Sequence, residues 1–361
     1  MSHPFALRIS QIQKKLTDRQ VILVTSSTDI KYFTGFTTDA TSERDAYLLI
    51  TTDSALLLHS PLAVASVVAG LKTTAEISLS ELASALKELK KDEKNHLLID
   101  EKSLYAYEFR QLEKILGIKL ENLDKNLIWQ LRMIKDAAEI ESITRACQLT
   151  AQAYEYATTL LTPGITEATI ASEISIFLQR HSAHLAFPTI VAFGEHSAIP
   201  HHTVGDKKLE KEMVVLIDLG ASVGGYCGDM TRTLWFGTNP SAQFLKIETI
   251  VQQAYHAGLA VAKQTTERTA SRLDLATRAV IENAGYGKNY IHTTGHGLGL
   301  DIHEPPTLYK TSSTQLEAGM AITIEPGVYL DGLYGYRHEN TLIVTSETAT
   351  ELTLPPSPDA G

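Results

Sequence analysis

Residues 213–237, MVVLIDLGASVGGYCGDMTRTLWFG, constrain the fold of this chain more than any other stretch. Residues 214–217, VVLI, are an apolar run with β-branched members that reads as a buried strand, and Asp218 falls where that strand ends. Glycines over 220–228 turn the chain, and a second strand-like run, 230–236, brings it back with Asp229 near its start. The pattern predicts a hairpin across which two carboxylates meet. Either acid alone is explained as a turn residue satisfied by backbone N–H groups. Two buried like charges a few ångströms apart repel, so the pair must share a proton or hold a cation. A cation needs further ligands, which the rest of the chain would have to supply.

The C-terminal third offers them. Residues 291–304, IHTTGHGLGLDIHE, hold three histidines, and Gly295, Gly297 and Gly299 flank His296 so that backbone can approach closely. Glu325 closes the strand-like run 320–324 just before Pro326 and Gly327, repeating the layout of Asp218. Glu339 opens the run 340–344, repeating the layout of Asp229. Asp218, Asp229, His296, Glu325 and Glu339 together give four carboxylates and one imidazole. An oxygen-dominated set favours hard or borderline divalent ions such as Mn²⁺ or Co²⁺ over a thiolate-type zinc site, and four carboxylates suffice to bridge two ions.

The elements around these residues form a recurring plan. Over residues 5–123 helical and strand-like segments alternate: helix 5–16, strands 21–24, 46–50 and 56–58, helix 79–90, strand 97–99 and helix 104–116. Around 122–131 this gives way to long helices. One, 136–161, keeps its rhythm through Ile140, Ile143, Cys147, Thr150 and Tyr154 until Pro163 and Gly164 stop it, and 167–181 follows. After the hairpin come helices 242–263 and 271–283, a glycine-punctuated turn at Gly285 and Gly287, and more strands. Helix, helix, strands, twice over, predicts two related halves around a common centre. The expected organisation is an α/β (α+β) chain with domains 1–125 and 126–350 and a loose tail, 351–361, whose three prolines resist regular structure. His3, His59 and His96 stand apart from any acidic cluster and read as surface or core side chains.

Charge and cysteine usage exclude several function classes. With 32 basic against 42 acidic residues the net charge is −10, and no dense Lys/Arg block stands out, so nucleic acid is not an expected partner. Cys147 and Cys227 are the two cysteines, too few for a disulfide framework or a thiolate zinc cluster, which suits a reducing cytoplasm. No apolar run reaches the roughly 18 residues a bilayer needs, and residues 1–20 lack the apolar core of an export signal. The expectation is a cytoplasmic protein.

The five site residues each sit inside a longer motif: GYCGDMTRT over 225–233, GHGLGLDIHEPP over 295–306, ITIEPGVY over 322–329 and YRHEN over 336–340, preceded by AIPHH over 198–202. Their order and spacing resemble the pita-bread metallopeptidases, specifically the Xaa-Pro aminopeptidase and prolidase branch. The likeness is strong over 126–347, and VTSSTDIKYFTGF over 24–36 is similar to that branch's small creatinase-like N-terminal domain. The resemblance implies a C-terminal pita-bread domain with pseudo-twofold halves and two divalent ions, Mn²⁺ first with Co²⁺ or Zn²⁺ as alternatives. It implies that Asp218 binds one ion with both oxygens, that Asp229 and Glu339 bridge, and that His296 and Glu325 complete the other ion. A water between the ions would attack the carbonyl before proline, with Glu325 as general base. His201, His292 and His303 match the family's substrate-contacting histidines, Arg337 its carboxylate-orienting arginine, and Thr231 would hydrogen-bond a ligand carboxylate. Proline-containing peptides or dipeptides are the implied substrates and a homodimer the implied assembly.

The match departs at His202, where the family usually has glycine; an imidazole there could shift His201 or join the site. In the N-terminal domain the family's Asp-x-Arg-Tyr element is replaced by LLHSP over 57–61, which leaves open whether dipeptides or longer peptides are preferred. Cys227, two residues before Asp229, reads as a small packed residue. The competing readings are a methionine aminopeptidase-like peptidase, a creatinase-type C–N hydrolase and a non-catalytic binding module on the same fold. The last two typically lack the ligands that this chain keeps.

Overall fold

Strand periodicity decides which side chains of this chain face helices and which face the centre of the fold. The computed structural model describes residues 4–37, 44–65, 68–89 and 96–353. It divides into two units, Met1–Arg132 and Met133–Gly361. His3 and residues 354–361 of the expected tail lie outside the described residues.

In the first unit six strands run in the order Leu71–Thr74, Ala55–His59, Ala46–Ile50, Gln20–Val24, His96–Ile99 and Glu121–Asn122. Ala46–Ile50 is antiparallel to both neighbours, and the outer pairs are parallel. Val21, Leu23, Tyr47 and Leu49 point to one face and pack with Leu82, Leu86 and Leu112 of two helices. Ser27–Thr34, Leu71–Thr74, Glu121–Asn122 and Asn126–Met133 were not legible as patterns. Ser27–Thr34 is a helix set by its ends, with Ser26 capping the Asp29 N–H and Gly35 in the left-handed region at φ 70°. Its buried Asp29 is held by Arg132 at 2.7 Å and by Lys125. Leu71–Thr74 is a half-exposed edge strand and has no apolar alternation to betray it.

The second unit repeats one plan. Helices Ala137–Thr159 and Glu167–Arg180 precede a sheet ordered Met230–Phe236, Met213–Leu219, Ile190–Phe193. Ile170, Ile174 and Leu178 pack against Val215, Ile217 and Leu219. Helices Ala242–Ala262 and Ala270–Asn283 precede a five-stranded sheet in which Ala321–Ile324 pairs with Asn340–Val344. There Leu259 and Leu273 pack against Ile322, Ile324, Leu342 and Val344. Each such aliphatic side chain contributes about 1.5–3 kcal/mol on burial, so the helix-facing rows fix the register. A period of two then sends the alternate residues the other way: Asp218, Thr231, Thr323 and Thr341.

The two halves join along these inner rows. The Glu339 N–H donates to the Thr231 carbonyl at 3.1 Å, and Thr341 Oγ1 donates to the Asp229 carbonyl at 2.9 Å. Residues at corresponding strand ends are thereby brought to one seam. No helix among the described residues is long and apolar enough to cross a membrane.

Candidate metal centre

The hairpin forms as its sequence predicts. Met213–Leu219 and Met230–Phe236 pair antiparallel with Asp218 opposite Thr231, so the Asp218 side chain shares a face with Thr231. In the second half Ile324 pairs with Asn340, which leaves Glu325 and Glu339 one step beyond that pair, at adjacent strand ends. His296 lies in the short strand Gly295–Gly297, whose backbone is pressed between neighbours. A Cβ on Gly295 would stand 2.1 Å from the Thr323 carbonyl oxygen, and one on Gly297 2.2 Å from that of Pro305. Only glycine permits that approach, and it is this approach that seats His296 beside Thr323 and Glu325.

Asp229, His296 and Glu339 offer ligand atoms that all lie within 4.8 Å of one another. His296 Nε2 is 3.7 Å from Asp229 Oδ2 and 3.4 Å from Glu325 Oε1. Asp218 and Glu325 add their charge to the same cluster. Burial first, then Glu339, Asp218 and Glu325, push the Asp229 carboxyl far above the usual carboxylate range. Burial and then Glu325 and Asp218 do the same to Glu339. Burial raises Glu325 to about 7, against the pull of Arg337. Four acids thus crowd a volume in which Arg337 is the guanidinium that reaches a carboxylate, while Arg232 donates to the Glu339 backbone carbonyl.

The hydrogen bonding shows what is missing. Arg337 Nη2 donates to Asp218 Oδ2 at 2.5 Å, its Nη1 to the Tyr329 hydroxyl at 2.6 Å and its Nε to Thr231 Oγ1 at 3.1 Å. Thr231 in turn donates to Glu339 Oε2 at 2.6 Å. Arg337, expected beside Glu339, therefore grips Asp218 directly and Glu339 through a hydroxyl. Asp218 Oδ1 and Asp229 Oδ1 are buried and have no hydrogen-bond partner among the described residues. Buried anionic oxygens without donors are costly unless a cation meets them.

The imidazoles fall into two kinds. Burial lowers His296 to about 4 and His292 to about 3, so both are neutral near pH 7. His296 Nδ1–H donates to the Gly297 carbonyl at 3.1 Å, which leaves the Nε2 lone pair for a ligand. His292 Nδ1–H donates to the Thr293 carbonyl at 2.7 Å, and its Nε2 accepts from the Tyr329 hydroxyl at 2.9 Å. His303 and His201 are solvent-facing. The His303 ring centroid stands 4.4 Å from that of His296, and burial and then the nearby His201 lower its pKa. His202 does not join this group; its Nε2–H donates to Glu167 Oε2 at 2.9 Å. Cys227 is buried and packed with Cys147, Leu298 and Ile343.

Three contributors lay outside the sequence reading. Tyr329 carries no assigned role in the motif ITIEPGVY, yet its hydroxyl joins Arg337 to His292. Thr341 was part of an apolar strand, yet it binds both backbone groups of Asp229. Glu167 read as the first acid of a helix, a position acids favour for electrostatic reasons. It is fully buried and accepts from two histidines. A tyrosine or threonine among β-formers gives no sequence signal of its polar role, and neither does an acid that precedes its two histidines by 29 and 35 residues.

The arrangement fits divalent cations: an imidazole with a free lone pair, carboxylate oxygens without donors, and a deficit of positive charge. Comparison with known proteins bears on what it serves. The sequence profile of metallopeptidase family M24 matches residues 141–346, and that of the creatinase/prolidase N-terminal domain matches residues 8–134. An uncharacterized peptidase of Staphylococcus saprophyticus is 35% identical over 352 residues, covering 96% of this chain and 99% of that protein. The structure of an Xaa-Pro dipeptidase from Bacillus anthracis superposes with a TM-score of 0.86 at 31% identity over 98% of both chains. That of an X-Pro aminopeptidase from Thermotoga maritima does so with a TM-score of 0.82 at 29% identity, over 96% of this chain and 98% of that one.

Proposed function

We propose that this chain, which belongs to metallopeptidase family M24, hydrolyses the Xaa-Pro peptide bond in dipeptides or at the N-termini of peptides. The ligands would be Asp218, Asp229, His296, Glu325 and Glu339, holding two divalent ions, with Mn²⁺ preferred. The observation that carries this reading is the pair of buried, partnerless carboxylate oxygens on Asp218 and Asp229 beside the free Nε2 of His296. When bound, the ions would polarise the scissile carbonyl and lower the pKa of water.

The chain's own groups supply the rest. Arg337 and Thr231 fix Asp218 and Glu339 through directed hydrogen bonds, so those carboxylates need no reorganisation during the reaction. Glu325, whose Oε1 lies 3.4 Å from His296 Nε2, is placed to take a proton from water and return it to the departing proline nitrogen. His201 and His303 face solvent beside the buried acids, where they can meet an incoming peptide. His292, neutral and tied to Tyr329, holds a fixed tautomer at the same wall. Proline is a fitting substrate class because an Xaa-Pro bond has no N–H to grip, and a site that acts on the carbonyl does not need one.

The test is turnover of Ala-Pro and Ala-Pro-Ala by demetallated protein reloaded with Mn²⁺, Co²⁺ or Zn²⁺. Hydrolysis of either supports the reading, and the ratio of the two rates separates dipeptidase from aminopeptidase. No turnover of either peptide with any of the three ions contradicts it.

A further inference from the structure

Glu167 with His196 and His202 is a second imidazole–carboxylate cluster, its ligand atoms also within 4.8 Å of one another. Its distances argue against a metal. His196 Nδ1 is 2.8 Å from Glu167 Oε1 and His202 Nε2 is 2.9 Å from Oε2. Ligands on a tetrahedral ion with bonds of about 2.0–2.1 Å stand about 3.3 Å apart, so hydrogens, not an ion, fill these gaps. Glu167 also accepts the Phe193 N–H at 2.8 Å and the Gly205 N–H at 3.2 Å. Four donors saturate one buried carboxylate.

Those donors come from both ends of one segment, 193–205, and its middle is held from the opposite side. The Gly335 N–H donates to the buried Ser197 Oγ at 2.9 Å, and Arg337 Nη1 donates to the Pro200 carbonyl at 3.4 Å. The same Arg337 grips Asp218. His201 therefore has a neighbour anchored on each side: Pro200 to the guanidinium that orients the acids, His202 to Glu167. We propose that Glu167, acting through His202, is a positioning residue that sets His201 against the acid cluster. On this account the imidazole at position 202 compensates for the stiffness of a residue whose place glycine would otherwise take. The role of His201 rests on the peptidase reading; the anchoring does not.

The test compares His202→Leu and His202→Gln with wild type in the metal-loaded full chain. Gln retains an N–H donor at the reach of Nε2, and Leu has none. Three readouts are taken: kcat and KM on Ala-Pro, bound Mn²⁺ per chain, and amide hydrogen exchange over 194–205. The Leu variant is expected to lose about tenfold in kcat, since small misplacements of a reacting group carry costs of this size or more. Its bound Mn²⁺ is expected to stay unchanged while exchange over 194–205 rises, and the Gln variant is expected to recover both kcat and protection. Unchanged exchange in the Leu variant overturns the anchoring, as does a fall in bound Mn²⁺, which would make the cluster an ion site. Raised exchange with wild-type kcat overturns the positioning of His201. If wild type cleaves no proline peptide, the peptidase reading fails by itself, and the exchange arm still decides the anchoring.

Discussion

Two clusters in the catalytic unit contain the same chemical groups and are built for opposite ends. Around Glu167 imidazole and carboxylate stand 2.8 and 2.9 Å apart, and every carboxylate oxygen accepts a hydrogen. Around Asp229 and Glu325 the corresponding distances are 3.7 and 3.4 Å, and Oδ1 of Asp218 and Oδ1 of Asp229 accept none among the described residues. The difference lies in where the donors are. Glu167 begins a helix under a segment whose backbone N–H groups turn toward it, whereas Asp229 and Glu339 sit at strand ends whose N–H groups are spent on Thr341 and Thr231. A carboxylate supplied with hydrogens is a fastener; one deprived of them is a ligand.

Substitutions can break or sharpen that contrast. The largest effect is expected from Asp229→Ala, which should abolish turnover and bound metal while leaving the circular dichroism spectrum in place. Next is Thr231→Val, which keeps the shape but removes the donor to Glu339; it should weaken Mn²⁺ binding by about 10- to 100-fold, measured by titration of the demetallated protein. Glu167→Gln should leave metal binding in place and act on stability, with kcat falling through the loosened His201. Breaking a saturated buried carboxylate costs about 1–3 kcal/mol in denaturant unfolding, with metal content unchanged.

The smallest effect concerns pH in the metal-free protein. Burial and mutual repulsion raise Asp229, Glu339 and Glu325 in the folded state, so above pH 7, where the buried histidines are neutral in both states, the folded chain binds more protons than the unfolded one. The share of stability owed to these acids falls as pH rises from the ordinary carboxylate range, to about 7 for Glu325, while the lowered His292, His296 and His338 oppose that fall up to the ordinary imidazole range and leave it unopposed above pH 7. Thermal unfolding of metal-free protein from pH 7 to 9 checks the sign; a Tm that climbs across this range contradicts it. Metal should reverse the slope, because it favours the deprotonated acids.

The sequence made the acids legible because an Asp or Glu at the end of an apolar strand violates the local pattern, and violations mark function. Asp218, Asp229, Glu325 and Glu339 all stand out in this way, and the glycines around His296 announce close backbone approach. The helices Ala137–Thr159 and Ala242–Ala262 were legible because their apolar rhythm runs over more than 20 residues. Ser27–Thr34 is too short for periodicity, and Leu71–Thr74 too exposed. Tyr329 and Thr341 escaped notice because strand formers with hydroxyls look like core until the register is known. His202 could be seen as a departure, but the direction of its ring depends on Glu167, 35 residues earlier.

The most direct test is the count of Mn²⁺ ions retained per chain, by calorimetric titration and elemental analysis, in wild type, Asp229→Ala and Glu167→Gln. The account predicts two ions in wild type, loss in Asp229→Ala and two in Glu167→Gln. Retention of no ion by wild type, or loss in Glu167→Gln with Asp229→Ala unaffected, would contradict it.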